Sequence, residues 1–246
     1  EKPLFNSVVW ASKYYHHPIG EVFFSFIPTV LRKDSSKTII PFGKTSDYLI
    51  NEDDKFFNLN KEQENAVQNL SKIKGFNPAL LYGVTGSGKT EVYLRLAEEK
   101  IKKGESIIIL VPEINLTPQL INRIKNRFTG EIGVFHSNIT PKKRYETWLK
   151  SKFGEIKIVV GTRSSVLLPL KNLGLIILDE EHDQSYRQSE GFKFSARDLA
   201  IKRSQLEKVP LLLGSATPSL QTLKLISENK FSKHEILKRI DGKKPP

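Results

Sequence analysis

The sequence predicts an α/β protein, a parallel sheet flanked by helices on both faces, and three observations predict it. From Leu59 onward, short apolar runs alternate with helical stretches. The runs, such as Ser106–Val111 and Leu173–Leu178, are continuously apolar rather than alternating, as strands covered on both faces are. One run opens into the glycine-rich stretch Gly83-Val84-Thr85-Gly86-Ser87-Gly88-Lys89-Thr90, between a strand and a helix.

The elements follow in order. Val8–Tyr15 and Glu21–Val30 are apolar and aromatic, broken by His17-Pro18-Ile19-Gly20. With Pro28, Pro41, Gly43 and the polar stretch Lys33–Lys37, they read as short strands and loops, a small and mostly β N-terminal segment over residues 1–55. The charged run Asn51-Glu52-Asp53-Asp54-Lys55 marks the boundary. Residues 56–230 form the main domain. Asn60 with Gln63 three positions on reads as a capping box, and Ala66, Val67 and Leu70 give that helix an apolar face. Pro78–Tyr82 is a strand, Lys89–Lys103 a helix closed by Gly104, and Ser106–Val111 a strand. Helix Thr117–Phe128, strand Ile132–Phe135 and helix Pro141–Lys152 come next. Strands Ile156–Val160 and Leu173–Leu178, helix Ser195–Gln205 and strand Pro210–Leu213 complete the pattern, and 231–246 reads as a linker.

Thirty-nine Lys and Arg against 27 Asp and Glu give the 246 residues a net charge of +12, which attracts polyanions, nucleic acid first among them. The absence of cysteine excludes disulfides, a cysteine zinc site and an iron–sulfur cluster within this chain, and fits a cytoplasmic protein. Runs such as Leu175–Leu178 are far too short to span a bilayer, and no membrane partner is expected. The chain contains no methionine and does not open on a signal peptide, so it reads as a piece of a longer protein.

Residues 83–90 match G-x-x-x-x-G-K-[ST] at every fixed position. Gly83, Gly86 and Gly88 let the backbone curl, so that the N–H groups of Thr85, Ser87 and their neighbours turn toward phosphate oxygens. The following helix N-terminus adds partial positive charge. Lys89 suits the β- and γ-phosphates of ATP, and the Thr90 hydroxyl suits Mg2+. Asp179 and Glu180, in Leu175-Ile176-Ile177-Leu178-Asp179-Glu180-Glu181-His182, stand where an apolar strand ends in carboxylates. Asp179 suits the metal and Glu180 the attacking water. Taken alone, these stretches also read as a glycine turn without ligand and a solvated acidic loop; paired, they point to nucleotide hydrolysis. Even so, a phosphate loop does not by itself separate a kinase, a GTPase, a transporter subunit and a motor on DNA.

The order of segments resembles the first RecA-like lobe of a superfamily 2 helicase. Gln63 resembles its adenine-reading glutamine, Asp179-Glu180-Glu181-His182 its DEEH box, and Gly214-Ser215-Ala216-Thr217 its third motif. The stretches GVTGSGKTEVYL, VPEINLTPQ, GTRSSVLLPL, DEEHDQSYRQSEGFKFSARDL and GSATPSL are similar to those of the PriA family of replication-restart helicases, over about Leu59–Leu223. Tyr14–Glu21 resembles the end of that family's N-terminal DNA-binding region. The resemblance implies 3′→5′ translocation driven by Mg-ATP, forked or single-stranded DNA as substrate, and primosome proteins and single-stranded-DNA-binding protein as partners. It also implies a second lobe carrying arginine fingers, toward which 231–246 would lead, and zinc held by cysteine pairs this chain lacks. Asn138 and Ser165–Leu168 depart from the family wording, and residues 21–58 leave little room for its winged-helix region.

After the DEEH box, Tyr186, Phe192 and Phe194 interleave with Arg187 and Lys193. Aromatic faces stack on bases and cations meet phosphates. The resemblance makes this loop the coupler of DNA contact to ATP hydrolysis; the other reading of Phe192 and Phe194 is packing into the lobe. By the same resemblance Thr117 and Arg163 contact the DNA backbone, while His182, Ser215 and Thr217 connect the nucleotide and DNA sides. Without it, Thr117, Ser215 and Thr217 read as caps and turns. His16 and His17 read as turn residues, and Trp10 and Trp148 as packing residues. The leading expectation is a PriA-like motor lobe. The alternatives are a lobe of a RecG-like or restriction-type translocase, and a DNA-binding or docking module with a vestigial ATP site.

Overall fold

The computed structural model describes residues 2–32, 48, 50–51 and 58–239. Seven strands form one sheet in which every neighbouring pair is parallel: β1 (Pro78–Gly83), β2 (Ser106–Leu110), β3 (Ile132–Phe135), β4 (Ile158–Gly161), β5 (Leu173–Leu178), β8 (Leu211–Ser215) and β9 (Ser232–Ile236). Their order is β3-β4-β2-β5-β8-β1-β9. β8 therefore lies between the strand that feeds the phosphate loop and the strand that ends in Asp179. A two-residue antiparallel pair, β6 (Arg187–Gln188) and β7 (Phe194–Ser195), stands apart.

The expected apolar runs are covered on both faces because successive side chains enter different cores. Leu80, Ile108, Leu110, Ile176, Leu178, Leu211 and Leu213 point to one side. Leu81, Ile107, Ile109, Leu175, Ile177 and Leu212 point to the other. The second side is closed by α4 (Lys61–Ser71), α5 (Lys89–Lys102) and α6 (Pro118–Arg127). The capping box of α4 forms as predicted, with Asn60 accepting from the Gln63 N–H and Gln63 Oε1 from the Asn60 N–H, each at 2.9 Å. The first side is closed by α8 (Ala196–Glu207) and, at its margin, α7 (Pro141–Phe153). Between α5 and α6, buried Arg127 pairs with Glu91 at 3.0 Å and with Glu98.

The N-terminal segment differs from expectation: residues 2–32 are mostly helical, not β, while Ile50 makes an isolated antiparallel bridge with Phe128. α1 (Lys2–Tyr14), α2 (Ile19–Phe26) and the single turn α3 (Thr29–Arg32) replace the expected strands. The aromatic run has strand-like composition, but Ser7, Val8 and Ala11 share one helical face buried against the lobe, and Trp10 stacks on Tyr14 one turn on at 4.5 Å. Burial against α8 outweighs β propensity here. Val8, Ala11 and Val22 also join the same apolar cluster as the sheet, so α1 and α2 are packed as part of the lobe.

Two further differences lie at the other end. α9 (Leu220–Ser227), capped by Ser219, was not expected. Ser232–Ile236, expected within a linker, is β9 and pairs in parallel with β1. Its exposed Lys233 and Glu235, on either side of half-buried His234, suit a strand covered along one edge only. The stretches expected as loop at 33–37 and 41–43, the charged boundary at 52–55 and the end of the linker at 240–246 lie outside the described residues.

Candidate nucleotide-binding and hydrolysis site

The phosphate loop runs from the end of β1 to the first turn of α5. Gly86 (φ 80°) and Gly88 (φ 83°) adopt left-handed conformations that a side chain would strain. No side chain caps α5, so its N-terminal positive pole is left for a ligand. The Ser87 hydroxyl is buried without a partner, and Thr85 and Gly86 are exposed at the rim. Lys89 is nearly buried; its Nζ donates to the Gly83 carbonyl at 2.9 Å and lies 3.3 Å from Glu180 Oε1. Thr90 follows in the first helical turn. This donor set fits a polyphosphate with a hard divalent cation: uncapped amides, one ammonium, one hydroxyl and a carboxylate across the cleft.

Gln63 is 3% exposed, and its Nε2 donates to the Ser87 carbonyl at 2.8 Å. The side chain expected to read adenine therefore ties the α4 cap to the phosphate loop. One amide hydrogen and one lone pair of its carboxamide are left beyond these two bonds.

The carboxylates stand at the end of β5. Asp179 Oδ1 accepts from the Tyr93 hydroxyl at 2.8 Å, and burial pushes its carboxyl above the usual range, with the Tyr93 hydrogen bond opposing the shift. Glu180 sits at φ 45°, a conformation costing a non-glycine residue roughly 1 kcal/mol or more. That bend turns Glu180 toward Lys89 while Asp179 faces Tyr93, so the two carboxylates divide in direction as expected.

His182 joins the DEEH box to the third motif. Its Nδ1 lies 2.9 Å from Ser215 Oγ and its Nε2 3.1 Å from Thr217 Oγ1, and the Thr217 N–H donates back to Ser215 Oγ at 3.0 Å. The structure thus brings His182, Ser215 and Thr217 together. Ser215 terminates β8, the strand between the loop strand and the carboxylate strand.

Sequence reasoning missed three residues here. Glu181 is buried and accepts from Arg197 Nε at 2.8 Å and from the Ser219 N–H at 2.7 Å. Arg197 in turn donates to Thr222 at 2.7 Å, so Glu181 and Arg197 bind the DEEH box to α8 and α9. Tyr93 is the third. No spacing signalled them, though Glu181 and Tyr93 both stand inside quoted stretches.

The aromatic loop departs from the base-stacking expectation. Tyr186, Phe192 and Phe194 are 2%, 4% and 5% exposed, so none offers a face to a base. Phe192 and Phe194 stack at 5.0 Å and meet Phe26 edge-on, with Tyr15 and His17 also against Phe192. The physical reason is the helical N-terminal segment, which supplies an apolar clasp for both rings. The Tyr186 hydroxyl donates to the Asp179 carbonyl at 2.6 Å, and burial holds that hydroxyl well above its usual pKa. Arg187 and Lys193 remain exposed. Arg163 donates to the Ser185 carbonyl at 3.0 Å and lines an open polar cleft of about 520 Å³ with Gln188, Ser189, Glu190 and Gly191. Thr117 is exposed beyond β2 and caps α6, accepting from the Leu120 N–H at 3.3 Å. Among the described residues no helix is long and apolar enough to cross a membrane.

Comparison with known proteins bears on this geometry. The chain is 48% identical over 184 residues to replication restart protein PriA of Haemophilus influenzae, covering 75% of this chain and 25% of the relative. It is also 48% identical over 165 residues to replication restart protein PriA of a Synechocystis strain, covering 67% of this chain and 20% of the relative. The chain thus spans a quarter or less of the length of these curated relatives. Among solved structures, RecG bound to a three-way DNA junction superposes with a TM-score of 0.57 at 24% identity, over 76% of this chain and 25% of that chain. That likeness shows the fold, a RecA-like lobe. The model of the DEAD/DEAH box helicase family matches residues 60–226, from the α4 cap through the phosphate loop, the DEEH box and Ser215 into α9, and the chain belongs to that family.

Proposed function

We propose that this chain is the ATP-binding motor lobe of a PriA-like replication-restart helicase, coupling Mg-ATP hydrolysis to 3′→5′ movement on forked or single-stranded DNA in the cytoplasm. The observation that carries the reading is the convergence of Lys89, Asp179 and Glu180 at adjacent strand ends, with Glu180 3.3 Å from Lys89 and Asp179 held by Tyr93. In this reading the loop amides and Lys89 bind the β- and γ-phosphates, and Gln63 lies beside the loop as the candidate adenine contact. Thr90 and Asp179 hold Mg2+, which when bound offsets the phosphate charge. Glu180 orients the attacking water and accepts its proton, exchanging its ion pair with Lys89 for that role.

DNA contact falls to the exposed groups Thr117, Arg187 and Lys193, with Arg163 in the cleft beside them. These lie beyond the C-terminal ends of the strands, where α/β ligands bind. The buried aromatics Tyr186, Phe192 and Phe194 serve as coupling elements rather than stacking platforms. A displacement of the β6–β7 loop reaches Asp179 through a single hydrogen bond from Tyr186. The resemblance implies primosome proteins and single-stranded-DNA-binding protein as partners of the whole polypeptide, and residues 1–55 as part of its DNA-binding region, with 56–230 the lobe and 231–246 leading onward.

The test is binding of a fluorescent ATP analogue in the presence of Mg2+ by the chain and by Lys89→Ala. Saturable binding that falls at least tenfold in the variant is expected. Equal binding by both proteins would refute the reading.

A further inference from the structure

We propose that Tyr93 is a positioning residue for the metal-binding carboxylate of Asp179, and that position 214 is glycine so that the Tyr93 hydroxyl can reach it. The proposal rests on the nucleotide reading above and adds a role for Tyr93 that the resemblance did not assign.

Tyr93 lies one turn past Thr90 on α5 and is 2% exposed. Its hydroxyl donates to Asp179 Oδ1 at 2.8 Å. Donor and acceptor stand on elements that do not adjoin: Asp179 ends β5, while α5 grows from β1, and β8 runs between those strands. The hydroxyl has to cross β8, and it does so at Gly214. A β-carbon there would overlap the Tyr93 hydroxyl, come within 2.9 Å of its Cζ and stand 3.0 Å from Asp179 Oδ1. Contacts under about 3 Å between such atoms force a shift. The backbone of Gly214 does not adopt a positive φ, so conformational freedom gives no reason for glycine at this position. Clearance does.

Two consequences follow for the site. A carboxylate at the end of a strand rotates about its terminal torsion, a broad and soft one. One fixed donor on Oδ1 selects a single orientation. It also occupies one lone pair of that oxygen, and the Glu180 backbone N–H adds a second hydrogen bond to the carboxylate. The Asp179 backbone is fixed from two directions as well: its N–H donates to Leu110 at 2.9 Å and its carbonyl accepts from Tyr186 at 2.6 Å. Side chain and main chain of one residue are thus held by two buried tyrosines. Tyr186 comes from the DNA-side loop and Tyr93 from the phosphate-side helix.

Groups that orient a metal ligand in this way change metal affinity roughly tenfold or more when removed. The test uses Mn2+ as a probe of the chain saturated with ADP, the bound ion being read by loss of the free-ion EPR signal. Five proteins are compared: the unaltered chain, Lys89→Ala, Tyr93→Phe, Gly214→Ala and the Tyr93→Phe, Gly214→Ala double variant. The expected result is a roughly tenfold weaker Mn2+ affinity in Tyr93→Phe, with metal-free ADP binding unchanged. Gly214→Ala should show the same shift, because it displaces the hydroxyl without deleting it. In the double variant the two effects should not add, since both act through one hydrogen bond. Mn2+ affinity in Tyr93→Phe equal to that of the unaltered chain would overturn the proposal while leaving the nucleotide reading intact. No ADP binding by the unaltered chain, or undiminished binding by Lys89→Ala, would instead sink the nucleotide reading, and this proposal with it. Should Tyr93→Phe fail to fold, Gly214→Ala alone decides by the same comparison.

Discussion

Glu180 lies between Lys89 and His182: one carboxylate oxygen is 3.3 Å from Lys89 Nζ and the other 3.8 Å from His182 Nδ1. A single side chain therefore touches the cation of the phosphate loop and the residue that connects to Ser215 and Thr217. Its backbone is held in the left-handed region to make this possible. A strained residue that meets two motifs at once is where a change in nucleotide state can be passed on.

Glu180→Gln separates binding from chemistry. The amide keeps the shape but cannot take a proton. Nucleotide affinity should stay within about twofold, while turnover by the full-length protein falls roughly 100-fold or more. Steady-state hydrolysis alongside equilibrium binding measures both.

His182→Ala removes both links to the third motif while leaving Lys89, Thr90 and Asp179 in place. Hydrolysis without DNA should change by no more than about threefold, and the stimulation by DNA should be lost, a coupling of roughly 1–3 kcal/mol. Turnover with and without single-stranded DNA checks this; retained stimulation would break the proposed connection.

The buried aromatic loop makes a prediction opposite to base stacking. Phe192→Ala should destabilise the fold by about 3 kcal/mol, because the ring packs on Phe194 and Phe26. Arg187→Ala and Lys193→Ala, at exposed positions, should leave the melting temperature unchanged and weaken DNA binding. Thermal melts and DNA titrations on the three variants discriminate. A Phe192→Ala variant of normal stability with lost DNA affinity would restore the stacking role.

Arg127→Ala should cost about 3 kcal/mol, since buried Glu91 and Glu98 would lose their shared partner. Glu91 keeps its contacts with Arg95 and Arg123, and Glu98 stays 4.0 Å from Arg95, so the loss sits toward the lower end of such cases. Chemical denaturation measures it.

Much of the lobe was legible because its strands are apolar on both faces. Leu173–Leu178 and Ile132–Phe135 appear at their expected limits, and Asn60 and Gln63 form the expected cap. The N-terminal helices were not legible. Val8–Tyr15 has strand composition, and its helical face is buried mainly against α8, distant in sequence. β9 was missed because a strand at a sheet edge needs no continuous apolar run. In the site, Lys89, Asp179 and Glu180 were legible because their chemistry demands fixed neighbours. Tyr93 and Arg197 were not, because each acts through a contact the chain makes only once β8 and α9 are in place. Gln63 was legible as a cap, and its hydrogen bond to Ser87 was not.

The central claim is that this site turns over ATP in response to DNA. The most direct measurement is ATP hydrolysis by the protein at its full natural length, with and without forked DNA, beside Lys89→Ala. The account predicts turnover that rises on adding the fork and vanishes in the variant. DNA binding without turnover in either protein would contradict it and favour a docking module with a vestigial nucleotide site.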